Sequence, residues 1–265
     1  MASKNRSTRP ANPKASLDTH PTLEANPWSC TIEGLEADAY LRVIGASSLH
    51  VNGISVEVRP PLGHQVLLAL ALESSNSLSR SEVGNRLFSQ LDKSRRGAQT
   101  RLVIQRLKQS LVDHGLLESI LEVGEGILAL KMPLQIDAEH LCSQLTSIEH
   151  LKRLSSPILP GHTSRYVEKY RNGVKNRIET ALGALFQSLS TTAEIAEFIV
   201  AVESLRDNYQ LSAPIRAHLC AAYQRLHRYD ELTSEILHFE SEWLDVFGPC
   251  DKPDIAALAS QIAKS

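Results

Sequence analysis

Aromatic side chains are scarce in this chain, 5% of 265 residues. Their scarcity argues against a stacking platform for single-stranded nucleic acid and leaves any core to aliphatic residues. Cysteine is sparse as well. Cys30, Cys142, Cys220 and Cys250 stand far apart with no CxxC pair, which fits reduced thiols in a cytoplasmic protein better than a disulfide scaffold or a zinc site. The longest wholly apolar run, Val66 to Leu72, is far short of the roughly 20 residues of a membrane-spanning helix, so no membrane association is expected. No secretory signal opens the chain: MASKNRSTRPANPKAS is polar and has no apolar stretch.

Catalytic signatures are missing too. There is no GxxxxGK followed by Ser or Thr, no HExxH and no GxSxG, so neither an enzyme nor a cofactor is expected. Glu139, His140 and Cys142, with His150 nearby, match no common metal spacing. Gly124-Glu125-Gly126 reads as a tight turn, Trp243 and Phe247 as core, and His64, His218 and His227 as surface or interhelical residues.

What is present is a concentration of positive charge. The whole chain carries a net charge of −2. Yet between Arg80 and Lys108 eight basic residues (Arg80, Arg86, Lys93, Arg95, Arg96, Arg101, Arg106, Lys108) face only Glu82 and Asp92. From Leu141 to the end, 13 basic residues meet 15 acidic ones. A basic footprint confined to one part of a near-neutral chain is the electrostatic mark of a nucleic-acid contact.

The length suits about two domains, and 42% hydrophobic content is enough for ordinary cores. Residues 1–36 mix Pro, Asn, Ser and Thr with few apolar residues and read as a disordered arm. Its Lys4, Arg6, Arg9 and Lys14 are expected to be solvated, with Trp28 available to pin its end. Short β-prone runs follow at Leu41 to Ile44, Ser48 to Val51 and Ile54 to Val58. Asn52-Gly53 between the last two predicts a type I′ hairpin. Leu62 to Glu73 predicts a helix buried on most sides, and Asn76 to Leu78 a connection. Ser79 with Glu82 predicts a capping box opening a helix to about Phe88. Ser89 to Ser94 reads as a loop, and Ser119 to Val123 and Ile127 to Lys131 as the strands of a hairpin.

Between loop and hairpin lies RRGAQTRLVIQRLKQSL, Arg95 to Leu111. At about 100° per residue it puts Thr100, Ile104, Leu107 and Leu111 on one buried stripe, with Val103 at its margin. Gln99, Arg101, Leu102, Gln105, Arg106, Lys108 and Gln109 turn elsewhere, with groups able to reach phosphates and base edges. Gly115 after His114 marks the C-terminus. Sheet, three helices and hairpin in this order describe a winged helix-turn-helix. From about Ile136 the periodicity is helical: Asp137 to Leu154, Arg165 to Leu189, Ile195 to Tyr209, Ile215 to Leu226 and Tyr229 to Phe247. The last two resemble a tetratricopeptide-type hairpin, with Ala217, Ala221, Ala222 and Tyr223 at the contact.

The whole order resembles the bacterial SARP-type regulators, named after the Streptomyces antibiotic regulatory proteins, which join an OmpR-type winged helix to a bacterial transcriptional activation domain. The resemblance is carried by LRVIGASSLHVNGISVEV, RPPLGHQVLLALAL, LSRSEVGNRLF and IQRLKQSL in the first half, and by PIRAHLCAAYQRLHRYDEL and LDVFGPCDKPDIAAL in the second. It spans roughly Tyr40 to Ile262 and rests on order and spacing. It implies a mainly α protein with small β-sheets, a winged helix over 37–134 and a helical, tetratricopeptide-like domain over 135–265. By the resemblance, Gln105, Arg106 and Lys108 face DNA, Arg101 lies one turn earlier, and Arg95 and Arg96 meet phosphate at the helix entrance; the helical period adds Gln99 to this DNA-binding set. The loop Gln90 to Ser94 would face RNA polymerase. The implied partners are double-stranded promoter DNA with direct repeats, RNA polymerase and a second copy of the chain on DNA.

Two departures stand out. Gly126-Ile127 replaces a Gly-Tyr pair in the wing, which Glu118, Glu122 and Glu125 make acidic, and Thr100 replaces an apolar residue, which should weaken packing of the helix start. The rival expectation is an interaction protein whose helical half docks a partner while the winged helix serves as a protein-binding module.

Overall fold

A computed structural model of the chain describes residues 38–264. The arm expected over residues 1–36 lies outside the described residues. The described residues form one compact unit.

Three short strands open the fold: β1 (Ala39–Arg42), β2 (Ser48–Val51) and β3 (Ile54–Val56). Asn52 and Gly53 both have positive φ, +50° and +79°, as a type I′ turn requires, so the β2–β3 hairpin forms where the Asn-Gly pair predicts it. Helix α1 (Pro61–Ala71) begins on a proline and buries every residue from Gly63 to Leu70. A helix apolar all round belongs inside a core, and α1 is the post around which the first half is packed. β4 (Ser77–Ser79) leads into α2 (Arg80–Leu87), whose capping box pairs Ser79 with Glu82 in both directions. Then come α3 (Lys93–Asp113), the short α4 (Leu117–Ile120), and β5 (Leu121–Val123) and β6 (Ile127–Leu130) of the wing.

Three expectations are corrected here. Ser77 and Leu78, expected as connection, together with Ser79 pair antiparallel with β6 and make the wing a three-stranded sheet, β4-β6-β5. The period-2 signal of three residues is too short to be visible in sequence. Ser119 and Ile120, expected in a strand, lie in α4. Ile136, expected to open the helical part of the chain, instead forms with Gln135 the strand β7 beside β1, parallel to it, in the order β3-β2-β1-β7.

The second half is helical: α5 (Asp137–Ser143), α6 (Ile148–Leu154), α7 (Arg165–Ser188), α8 (Thr192–Asn208), α9 (Ala213–Arg225), α10 (Tyr229–Phe247) and α11 (Ile255–Ile262). The single helix expected from Asp137 to Leu154 is two, because the Ser147 hydroxyl accepts from His150 N–H and starts a new helix. Helix α9 buries Ile215 to Tyr223 without a break, including Ala217, Ala221 and Ala222. Its Arg216, with a side chain 1% exposed, is paired with Glu235 and Glu242 of α10, and Arg206 of α8 reaches Glu235 at 3.0 Å. Trp243 and Phe247, expected in the core, are not buried: Trp243 is half-buried and Phe247 50% exposed, the two rings 4.4 Å apart, and α10 buries only Glu235 and Phe239.

The halves meet at Asp137. Its carboxylate, 2% exposed, accepts hydrogen bonds from Val43 N–H (2.8 Å), Ile44 N–H (3.2 Å) and Ala138 N–H (2.8 Å). Gln65 of α1 bridges to the helical half through His162 (2.9 Å) and Ser164 (2.8 Å). Arg86 of α2 pairs with Glu73 and lies close to Tyr166 of α7.

Helices α2 and α3 cross closely at Gly84. A Cβ there would lie 2.7 Å from Thr100 Oγ1 and 3.3 Å from Arg96 Cγ. Thr100 itself is 3% exposed and donates its hydroxyl to the Arg96 carbonyl at 2.8 Å. The weakening expected of a polar residue at this place is therefore offset: its hydrogen bond is satisfied. Gly84→Ala should destabilise by about 1–3 kcal/mol through overpacking. Urea unfolding of Gly84→Ala, Thr100→Ala and the double variant checks it, with the double variant expected to recover part of the loss.

Two buried groups oppose each other in their response to pH. Burial and the nearby His162 lower His64, 2% exposed, to about 4. Burial raises Asp137 to about 6 despite its three backbone donors. His64 takes up its proton more readily in the unfolded chain, so its share of stability is complete above about 6.5 and lost as pH falls toward 4. Asp137 takes up its proton more readily in the folded chain, so stability falls as pH rises from about 4 to 6. The slopes cancel over most of that window. His64→Leu should uncover the Asp137 slope: its stability relative to wild type should change by roughly 2–3 kcal/mol between pH 4 and 6.5, in favour of the variant at the acid end. Urea midpoints measured across that range test this.

Candidate nucleic-acid interface

Helix α3 begins at Asp92, whose side chain accepts from Arg95 N–H at 3.0 Å, and ends at His114 before Gly115 in the left-handed region. Thr100, Val103, Ile104, Leu107, Ser110 and Leu111 are buried. The inner stripe expected from periodicity is thus present, widened by Ser110, whose hydroxyl accepts from Arg59 N–H at 3.2 Å. Close packing against α1 at Gly63, where a Cβ would lie 3.3 Å from Leu107 Cδ1, seats the middle of the helix.

With the inner stripe set, the helical period distributes the outer residues. Ala98, Leu102, Gln105, Gln109 and Val112 form the outermost line. Arg101 and Lys108, seven residues apart, lie along one flank; Gln99 and Arg106, also seven apart, lie along the other. Gln99, Arg101, Gln105, Arg106 and Lys108 are exposed. None of them makes a hydrogen bond or ion pair among the described residues. Arg106 also borders a shallow depression of about 570 Å³ with Glu57, Arg59, Gln109 and His114.

The eight cations counted in sequence divide once folded. Arg101, Arg106 and Lys108 point outward with no partner among the described residues, and Arg95 is 80% exposed beside Asp92 at 3.4 Å. Arg86 is engaged with Glu73 and the Ala69 carbonyl. Arg80 reaches the Gly124 carbonyl of the wing at 3.3 Å. Arg96, expected to meet phosphate, is directed inward: its guanidinium contacts Asn85 Oδ1, the Leu91 carbonyl at 2.8 Å and the Ser89 carbonyl at 3.5 Å. The reason is its place on the α2-facing side of the first turn, which sequence spacing ranked with Arg95. The loop expected over Gln90 to Ser94 is shorter, since Lys93 and Ser94 are already helical.

Missed in sequence was Ala98, whose small side chain leaves the outermost line low at its start; its spacing of four from Leu102 was the available signal. In the wing, Glu122 and Glu125 are exposed, while Glu118 pairs with Lys131 at 3.1 Å. The wing therefore presents carboxylates and Ile127, 54% exposed. Elsewhere, Glu139 of the sequence cluster is held by both guanidinium nitrogens of Arg177 at 2.7 Å, His150 faces the Gln144 carbonyl at 2.6 Å, and burial pushes the Cys142 thiol up to about 11. Among the described residues, no three such groups come together as a metal site, and no helix is long and apolar enough to cross a membrane.

The contrast between Arg96 and Arg101 is measurable. Arg96→Ala should cost about 1.5–3 kcal/mol, since it removes charge-assisted bonds that tie the α2–α3 turn. Arg101→Ala should stay within about 0.5 kcal/mol of wild type. Urea unfolding of both variants at one pH makes the comparison.

No family model and no curated protein matches the chain. Among solved structures, Mycobacterium tuberculosis EmbR in complex with a low-affinity phosphopeptide matches with a TM-score of 0.59 at 16% sequence identity. The match covers 86% of this chain and 65% of that one, so the chain spans about two thirds of EmbR's length. What the two share is the fold, a winged helix followed by a helical half, within a mainly α protein with small sheets.

Proposed function

We propose that this chain is a sequence-specific DNA-binding transcriptional regulator of the SARP type, with no catalytic activity and no cofactor. One observation carries the reading. The outward side of α3 holds Gln99, Arg101, Gln105, Arg106 and Lys108 with no partner among the described residues, beside buried stripes that fix the helix in place. Cations left unpaired along both flanks of an exposed helix suit the two phosphate walls of a major groove about 12 Å wide. The likeness to EmbR, a regulator of the SARP family, supports the same reading.

In this reading 37–134 is an OmpR-type DNA-binding half and 135–265 a bacterial transcriptional activation half with tetratricopeptide-like helices. The protein acts in the cytoplasm as an activator, binds direct repeats in a promoter as a homodimer, and meets RNA polymerase. Arg95, Arg101, Arg106 and Lys108 hold phosphates, Gln99 lies beside Arg106 on the same flank, and Gln105 approaches the bases. Arg96 orders the turn that aims the helix. The acidic wing contributes little, because carboxylates beside a phosphate backbone repel it.

A second reading has its own support. Glu122, Glu125 and Ile127 on the wing, together with Leu237, Leu244 and Val246 exposed on α10, suit an interaction protein whose winged helix never meets DNA.

Fluorescence anisotropy on duplexes tiled across the protein's own upstream region, at several salt concentrations, separates the two. Tight binding to one tile is expected, with the salt slope reduced by about one for each of Arg101→Ala and Lys108→Ala. Weak binding to every tile, unchanged in either variant, would instead establish the interaction protein.

A further inference from the structure

The outermost line of α3 contains a leucine where a groove-reading helix has its best view of the bases. Leu102 is 39% exposed, lies in the N-terminal half of a 21-residue helix, and stands between the flank of Arg101 and Lys108 and the flank of Gln99 and Arg106. A lone exposed leucine is ordinary on any surface. This one is informative by position. When the flanking cations are on phosphates, Leu102 is the side chain directed at the floor of the groove.

Its neighbours on the line narrow what it meets. Ala98, one turn before, is short and lets the helix sit deep. Gln109, two turns after, donates its amide to Asp113 Oδ1 at 2.8 Å and is occupied within the helix. Gln105, three residues on, makes no bond among the described residues, and at about 1.5 Å per residue it stands about 4.5 Å along the axis from Leu102. Successive base pairs are about 3.4 Å apart, so the two residues face neighbouring pairs. In the major groove the only apolar feature of a base edge is the C5 methyl of thymine, and a glutamine amide matches the N6 and N7 edge of adenine.

We infer that Leu102 reads a thymine methyl, and that with Gln105 it sets a preference for an A·T-containing step in each half-site. This inference rests on the DNA-binding reading above. It adds the base chemistry that the central line of α3 recognises.

The test uses duplexes enriched by the full chain from a pool randomised over the half-site. In the enriched duplex each thymine is replaced in turn by deoxyuridine, which removes only the C5 methyl. One replacement should weaken binding by wild type about three- to fivefold, the worth of one buried methyl. Binding by Leu102→Ala should not distinguish the two duplexes, and its own enriched pool should lose the thymine at that position alone. Circular dichroism should show Leu102→Ala folded as wild type, since the residue is at the surface. Enriched duplexes with no thymine whose methyl matters, or an equal deoxyuridine penalty in Leu102→Ala, would overturn the role of Leu102 while leaving DNA binding intact. A pool that yields no enriched duplex would overturn the DNA-binding reading and this inference together.

Discussion

A single buried carboxylate joins the two halves of this protein. Asp137 directly follows the strand β7 and starts the first helix of the second half, and its two oxygens receive the amides of Val43, Ile44 and Ala138. Those amides have left the sheet ladder or begin a helix, so nothing in regular structure would satisfy them. A neutral side chain could not accept all three as well. The cost is a charge held out of water, visible in its raised proton affinity. β7 beside β1 and the Gln65–His162–Ser164 bridge form around the same seam.

A second buried charge plays a comparable part inside the helical half. Arg216 is enclosed between α9 and α10, with Glu235 and Glu242 as partners, the Gln210 carbonyl at 3.1 Å and the Phe239 ring 5.8 Å away. Such a group is tolerated only when every partner is in place. It therefore specifies how α8, α9 and α10 are arranged, where alanines alone would permit several registers. Arg225 acts similarly at the end of α7, donating to the Leu189 carbonyl at 2.8 Å.

Much of the first half was legible in sequence because its signals are local. Asn52-Gly53 announces its turn, Ser79 with Glu82 its helix start, and the spacing of Thr100, Ile104, Leu107 and Leu111 its inner face. What stayed hidden depends on contacts distant in sequence. β7 is two residues long and exists by pairing with β1, some 95 positions earlier. The orientation of Arg96 depends on Asn85 and on carbonyls of the preceding turn. Nothing in the spelling RRGAQTR separates Arg95 from Arg96. Counting charges along the chain therefore overstated how many cations are left without a partner among the described residues, since Arg86 and Arg96 are engaged in holding the scaffold. The helical periods were read well, yet Phe247 shows that an apolar position on a helix is buried only when a neighbour extends far enough to cover it.

The seam at Asp137 also bears on geometry beyond one molecule. Because the same carboxylate closes β1 and opens α5, there is no slack linker through which the helical half could swing. Any two copies held by their helical halves would present their α3 helices at one separation and one rotational phase. On the DNA-binding reading, such a pair would work as a ruler, accepting recognition sites a set number of helical turns apart, at about 10.5 base pairs per turn, and rejecting those displaced by half a turn.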